Sequence, residues 1–276
     1  MTYKINFIKM HGLGNDFIML QESAIRDILD IPYFSRTITN RYTGIGCDQL
    51  IIYSSLKTNC NMYILNPDGS YATQCGNATR CLAYLICCSN NITTCIINVN
   101  RKALYCNLIN GNKVSVNMGK TSFREKWMPK VEQLNKLSED YNLNISEILC
   151  VDVGNPHLVI FSNNLTLEEK TLLGSKLEYH SLFSSGINVN FVEVSNRKLK
   201  LQVWERGTGF TLACGSGACA SFAAAKKLGF VDSKSEVIFK IGTLAMEYKD
   251  KGNGDNEIIM TGATSFVAKG IYYYDK

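Results

Sequence analysis

The sequence predicts an α+β fold of two pseudo-symmetric halves, each a mixed sheet or barrel wrapped around one central helix, with the active site in the cleft between them. Three observations predict it. Cys75-Gly76-Asn77 and Cys214-Gly215-Ser216 each open a run of small apolar residues, and they stand 139 positions apart (214 − 75) in a chain of 276. Other landmarks recur in the same order. Gly14-Asn15-Asp16-Phe17 returns as Gly154-Asn155-Pro156-His157, Gly44-Ile45 as Gly186-Ile187, Asn66-Pro67-Asp68-Gly69 as Trp204-Glu205-Arg206-Gly207, and Gly119 as Gly262. Ordered self-similarity at a nearly fixed offset is the mark of internal duplication. Finally, the runs after Cys75 and Cys214 are apolar on nearly every side, which a short helix tolerates only when buried.

The elements follow in chain order. Tyr3 to Lys9, Phe17 to Leu20, Gln49 to Tyr53 and Met62 to Leu65 read as strands, being alternating or continuous apolar runs bounded by turn residues. Helices are expected over Ile31–Tyr42 and from Gly76 to about Cys88. In the second half strands fall at Leu158–Phe161, Val189–Val194 and Leu199–Trp204, and helices at Leu167–Tyr179 and Ser216–Leu228, the latter closed by Gly229. A last strand, Ser265–Tyr274, has no counterpart in the first half and is expected to pack back on the N-terminal unit. The domains expected are 1–118 with 263–276, carrying Cys75, and 119–262, carrying Cys214, with the polar stretch 120–130 as the crossing.

Composition narrows the function classes. With 46% apolar residues the chain can build substantial cores. A net charge of +5, scattered rather than blocked, points away from nucleic acid. The longest apolar runs, such as Leu82–Cys88, fall far short of the ~18 residues a membrane span needs. The first twelve residues alternate like a strand and carry no signal-peptide core, so a cytoplasmic protein is expected. Its eleven cysteines are then expected to be reduced. No C-x-x-C pair is present, and His11, His157 and His180 show no ligand spacing, so no metal is expected. Cys60, Cys87, Cys88, Cys95, Cys106 and Cys150 read as small core residues, and Cys81 and Cys219 as packing within the two helices.

Cys75 and Cys214 read differently. A cysteine at a helix start meets backbone N–H groups and the positive end of the helix dipole, which lower a reactive thiol's pKa to roughly 3.5–7.5. Two such thiols, one from each half, suit proton transfer at a weakly acidic α-carbon. A thiolate takes the proton from one face, a thiol returns one to the other, and the centre inverts. The N–H groups of Gly76, Asn77, Gly215 and Ser216 can hold a carboxylate between two helix ends. Arg206 can clamp a carboxylate bidentately, and Asn66, Asn155 and Asn188 can meet carboxylate and ammonium alike. Plainer roles stay open for several: turn formers for Asn15 and Asn66, a core histidine for His157, a local ion pair for Glu205. The scheme requires neither metal nor pyridoxal phosphate, and no cofactor is expected.

At these residues the chain resembles the cofactor-independent diaminopimelate epimerases. KMHGLGNDF at 9–17, GIGCDQ at 44–49, NPDGS at 66–70, QCGNATRC at 74–81, GNPH at 154–157, WERGTGFTLACGSGACA at 204–220 and MTG at 260–262 all look like blocks of that family. The resemblance implies an isomerase that interconverts LL- and meso-diaminopimelate in bacterial lysine and peptidoglycan-precursor synthesis. It implies Cys75 and Cys214 as the acid and base, with His157 and Glu205 tuning them. Substrate-binding positions carry over to Asn15, Gln49, Asn66, Gly76, Asn77, Asn155, Asn188, Glu205, Arg206, Gly215 and Ser216. The partners expected are a small-molecule substrate, diaminopimelate, and at most a second copy of the chain as a homodimer. The sequence departs from the commoner pattern at Ala78-Thr79 and at Cys47. A proline or hydroxyproline racemase on the same scaffold is one alternative, although such enzymes tend to carry Cys-Gly-His at 75–77. A thiol redox sensor, pairing Cys75 with Cys214 in a reversible disulfide, is another.

Overall fold

The computed structural model describes residues 2–144, 147–250 and 256–275. In chain order these form β1 (Thr2–Gly12), β2 (Asn15–Gln21), α1 (Ile31–Thr39), β3 (Gln49–Tyr53), β4 (Asn59–Leu65), β5 (Tyr71–Ala72), α2 (Gly76–Asn90), β6 (Thr94–Val99), β7 (Lys102–Asn110) and β8 (Lys113–Lys120). There follow α3 (Val131–Asp140), β9 (Ile148–Asp152), β10 (Pro156–Phe161), α4 (Leu167–Glu178), β11 (Asn188–Ser195), β12 (Lys198–Glu205) and β13 (Gly209–Thr211). The last elements are α5 (Gly215–Lys227), β14 (Lys234–Phe239), β15 (Gly242–Asp250), β16 (Asn256–Ala263) and β17 (Ser265–Asp275). The chain divides into two compact units, Met1–Asn117 with Thr261–Lys276, and Met118–Met260.

Each unit repeats one pattern of strand pairing. In the first, β1 and β2 are antiparallel, β2 and β3 parallel, and β3 and β4 antiparallel. β5 folds back on β4, β6 joins β4 in parallel, and β7 returns antiparallel. The second unit reads the same way. β9/β10 are antiparallel, β10/β11 parallel, β11/β12 antiparallel; β13 folds back on β12, β14 joins β12 in parallel, and β15 returns. The added strand β17 pairs antiparallel with β1 from Thr2↔Asp275 to His11↔Ser265, as expected for a closing strand.

The central helices explain the curvature of these sheets. α2 packs against β1, β6 and β7, and α5 against β9, β10, β11, β12, β14 and β15. A helix that touches strands near both ends of one sheet requires that sheet to curl around it. The outer helices α1 and α4 cover the opposite faces. Ile18, Leu20, Leu50 and Ile52 pack with Phe34 and Ile38 of α1. Leu158, Ile160, Val189 and Phe191 pack with Leu173 and Leu177 of α4. Successive strand residues point to opposite faces, so the intervening Phe17, Met19, Ile51 and Val159, also buried, face the other layer. Covering both faces is why β2, β3 and β10 read as continuous apolar runs.

Local chemistry sets the helix limits. α4 starts with a reciprocal capping box: Glu169 N–H donates to Thr166 Oγ1 at 3.2 Å, and Thr166 N–H to Glu169 Oε2 at 2.7 Å. α1 stops at Thr39, three residues before the expected Tyr42. The Asn40 side chain accepts the N–H groups of Tyr42 and Thr43 at 2.8 and 3.0 Å, which forms a turn instead. Gly229 ends α5 as expected, at φ +78, with Phe230 N–H on Ala225 O at 2.9 Å and Gly229 N–H on Lys226 O at 3.1 Å. α2 corrects one expectation. It is buried from Gly76 to Cys87 except at Tyr84, but its last turn faces solvent, so Cys88 is exposed and not a core residue. α3 is a helix beyond those expected from the sequence: it runs over a polar stretch that buries only Leu137 and Ser138.

Candidate active site

In the first unit Cys75 is the N-cap of α2, extended at φ −148 and ψ 104. Its carbonyl accepts Thr79 N–H at 3.0 Å and Thr79 Oγ1–H at 2.9 Å, which anchors the cap. Its thiol donates to Asn15 Oδ1 at 3.7 Å, and Asn77 Nδ2 donates to the same oxygen at 3.2 Å. Asn15 is held from its other end, Nδ2 donating to Asp48 Oδ2 at 3.0 Å. Asp48 in turn sits with Asp16 on the Arg41 guanidinium. On the helix side Asn77 Oδ1 accepts from Arg80 Nη2 at 2.8 Å, and Arg80 is fully buried. Gly12 makes room for that guanidinium, since a Cβ there would lie 3.1 Å from Nη2. Farther along, Gln49 Nε2 donates to Asn66 Oδ1 at 2.9 Å, while Gln49 Oε1 and Gln74 Nε2 are buried without a hydrogen-bond partner.

In the second unit Cys214 is the N-cap of α5, and its Sγ accepts Gly217 N–H at 3.4 Å. Gly217 cannot be larger there: a Cβ would lie 2.8 Å from Val203 Cγ2 and 3.4 Å from the sulfur. Ser216 Oγ lies 3.4 Å from Cys214 Sγ, 3.1 Å from His157 Nε2 and 3.5 Å from Asn155 Nδ2. His157 Nδ1 lies 3.1 Å from Asn190 Oδ1. Burial holds the His157 pKa down at about 4, so the ring is neutral. The Cys214 thiol goes the other way from the expectation for a helix start. Burial raises it well above its ordinary value and Glu205 adds to that, outweighing its contacts with Ser216 Oγ and with Gly217 N–H. Desolvation of a thiolate outweighs one N–H and a dipole end.

The β12–β13 turn carries Glu205 and Arg206. Thr211 Oγ1 donates to Glu205 Oε1, and the Arg206 backbone N–H donates to Asn188 Oδ1 at 3.0 Å. Asn188 Nδ2 is spent on Pro156 O at 3.0 Å, so both ends of this amide brace backbone. Arg206 is exposed, with Nη1 donating to Ser185 O at 2.5 Å. Glu178 ties the turn to α4, accepting Trp204 Nε1–H at 2.7 Å and Gly207 N–H at 2.5 Å.

The diaminopimelate epimerase family model matches residues 7–124 and 149–267, most of the described part of each unit. A diaminopimelate epimerase of Rickettsia prowazekii is 51% identical over 276 residues, covering 100% of both chains. One of Rickettsia bellii is 50% identical over 273 residues, covering 99% of each. The chain belongs to the diaminopimelate epimerase family. Solved structures share its fold at low identity. A phenazine biosynthesis protein of the PhzF family from Bacillus anthracis aligns with TM-score 0.72 at 14% identity, over 97% of this chain and 98% of that one. A hydroxyproline epimerase from Agrobacterium vitis, bound to trans-4-hydroxy-L-proline, aligns with TM-score 0.66 at 12% identity, over 99% and 93%.

For a diaminopimelate epimerase family member, the sequence-derived positions fall into two groups. Asn15, Cys75, Gly76 and Asn77 cluster around the start of α2, with Gln49 and Asn66 bonded to each other nearby on β3 and at the end of β4. Asn155, His157, Asn188, Glu205, Arg206, Cys214, Gly215 and Ser216 gather around the start of α5. Cys47 is buried, and burial pushes its thiol up to about 12, which leaves it inert. Among the described residues no group of three or more His, Cys, Asp or Glu could hold a metal ion. Sequence reasoning missed Asp48, Arg80, Glu178 and Asn190. For Asn190 a signal existed: it lies two residues beyond Asn188 in the apolar strand NVNFVEV, hence on the same face.

Proposed function

We propose that this isomerase interconverts LL- and meso-diaminopimelate by a two-base proton transfer in which Cys75 and Cys214 address one α-carbon from opposite faces. The α-C–H bond breaks toward one sulfur as thiolate, forming S–H. The other cysteine's S–H bond breaks as its proton reaches the opposite face of the carbon. Charge that develops on the substrate carboxylate meets the first-turn N–H groups and positive dipole ends of α2 and α5. Arg206, exposed and braced by Ser185 and Asn188, suits the distal carboxylate of a substrate with two amino-acid ends. The supporting observation is that each unit caps its central helix with a cysteine whose sulfur is hydrogen-bonded to a conformationally held side chain, Asn15 or Ser216. A cytoplasmic setting in lysine and peptidoglycan-precursor synthesis fits membership of the family.

The test is incubation with LL-diaminopimelate in D2O under reducing conditions. Deuterium at the α-carbon together with the meso isomer is expected. Exchange with proline and none with diaminopimelate would sink the substrate assignment. Exchange that survives Cys214→Ala in both directions would sink the two-base mechanism.

A further inference from the structure

We propose that Asn190 is a positioning residue of this site: it fixes the His157 ring as the Nδ1–H tautomer and thereby, through Ser216, sets the direction of the hydrogen bonds that reach the Cys214 sulfur. The proposal rests on the reading of Cys214 as one of the two proton-transfer groups.

Asn190 is fully buried on β11. Its Nδ2 donates to Gly217 O at 3.0 Å and to Ser221 Oγ at 3.1 Å, which commits both of its hydrogens. The remaining end, Oδ1, therefore faces His157 Nδ1 at 3.1 Å. A carbonyl oxygen only accepts, so Nδ1 carries the proton. Because the ring is neutral, Nε2 is left with a lone pair, and Ser216 Oγ at 3.1 Å must donate to it. A hydroxyl has one proton and two lone pairs. With its proton on His157, Ser216 turns its lone pairs to Asn155 Nδ2 and to the thiol, and Cys214 S–H donates.

The reverse direction, Ser216 donating to a Cys214 thiolate, needs a proton on His157 Nε2. A neutral ring of that kind would set a bare Nδ1 against Asn190 Oδ1, two acceptors facing each other where water does not reach. The charged groups around this chain do not decide the matter. Glu205 on β12 opposes charge on Cys214, while Asp152 from β9 and Arg206 act on His157 in opposite senses. Charges set how many protons the chain holds; the orientation of the Asn190 amide sets where they lie.

Two measurements on the reduced, substrate-free protein test the proposal. Ring-nitrogen 15N NMR of the three histidines, with His157 assigned by His157→Gln, should show a protonated Nδ1 and a bare Nε2 from pH 8 to 5.5. Iodoacetamide alkylation, read on the Cys214 peptide against pH, should shift in Asn190→Ala toward lower pH by about one unit, roughly tenfold more thiolate at fixed pH. Asn190→Asp, which makes the ring cationic, should shift it further the same way. A merely structural role for Asn190 would move neither the tautomer nor that midpoint. An Nε2–H ring in the wild type, or titration of His157 near 6.5, overturns the proposal, as does a folded Asn190→Ala with an unchanged Cys214 midpoint. Should that variant not fold, the wild-type tautomer decides alone. Both readouts need no turnover, so a lack of diaminopimelate epimerisation with the tautomer and shift intact strikes the proposed function and leaves this hydrogen-bond order standing.

Discussion

Acidification should destabilise the second unit through His157, by an amount the structure fixes. The ring is fully buried and its pKa held at about 4, against 6.5 for an ordinary histidine. Its folded value is depressed, so the unfolded chain takes up the proton first. The contribution is fully present above pH 6.5 and is lost as pH falls from there toward 4. Between pH 7 and pH 5 the linkage relation gives a loss of about 2 kcal/mol from this residue alone. Both tryptophans, Trp127 and Trp204, lie in the Met118–Met260 unit, so their fluorescence follows urea unfolding of the unit that holds His157. With a slope of about 2 kcal/mol/M, the midpoint should fall by about 1 M more in the wild type than in His157→Gln over that pH range. Carboxylates titrate equally in both proteins and cancel in the difference. Midpoints that fall in parallel would refute the claim that His157 is buried neutral.

Gly217→Ala should cost about 1–3 kcal/mol and displace Cys214, because the added methyl meets Val203 at 2.8 Å; urea midpoint and deuterium exchange should drop together. Arg206→Lys should raise KM about tenfold with a smaller change in kcat, since lysine loses the fork that binds a carboxylate while bonding Ser185; equal losses in both constants would argue against a ground-state clamp. Glu178→Gln turns one acceptor into a donor facing Trp204 Nε1–H or Gly207 N–H, and should destabilise by about 1–3 kcal/mol. A Trp fluorescence spectrum unchanged from wild type would count against that tie.

Much of this architecture was legible because it rests on short-range signals. Apolar runs gave β2, β3, β10 and β11 within a few residues, and the Gly-rich turns gave the repeat. The end of α1 was less legible, since Asn40 competes with the helix through its side chain, a choice that propensity alone leaves undecided. α3 carries too little periodic apolar character to stand out in a sequence. Cys88 and Cys87 are neighbours of identical chemistry, and only the rotation of the helix against β6 and β7 decides which of them is buried.

The sequence by itself determined the duplication, the two cysteine-capped helices, the list of chemical groups and the family. Those depend on residue identity and spacing, which the chain carries along its length. Tertiary structure alone decided what each group's neighbours do to it. The Cys214 thiol is pushed up and not down because folding removes it from water beside Glu205. Asn188 braces backbone at both ends, and Asn190 hands His157 its tautomer, because segments distant in sequence (the start of β10, the turn after β12 and the first turn of α5) bring Pro156, Arg206 and Gly217 within hydrogen-bond reach. Desolvation and hydrogen-bond direction are properties of an enclosed volume, and no stretch of chain encloses one until it has folded.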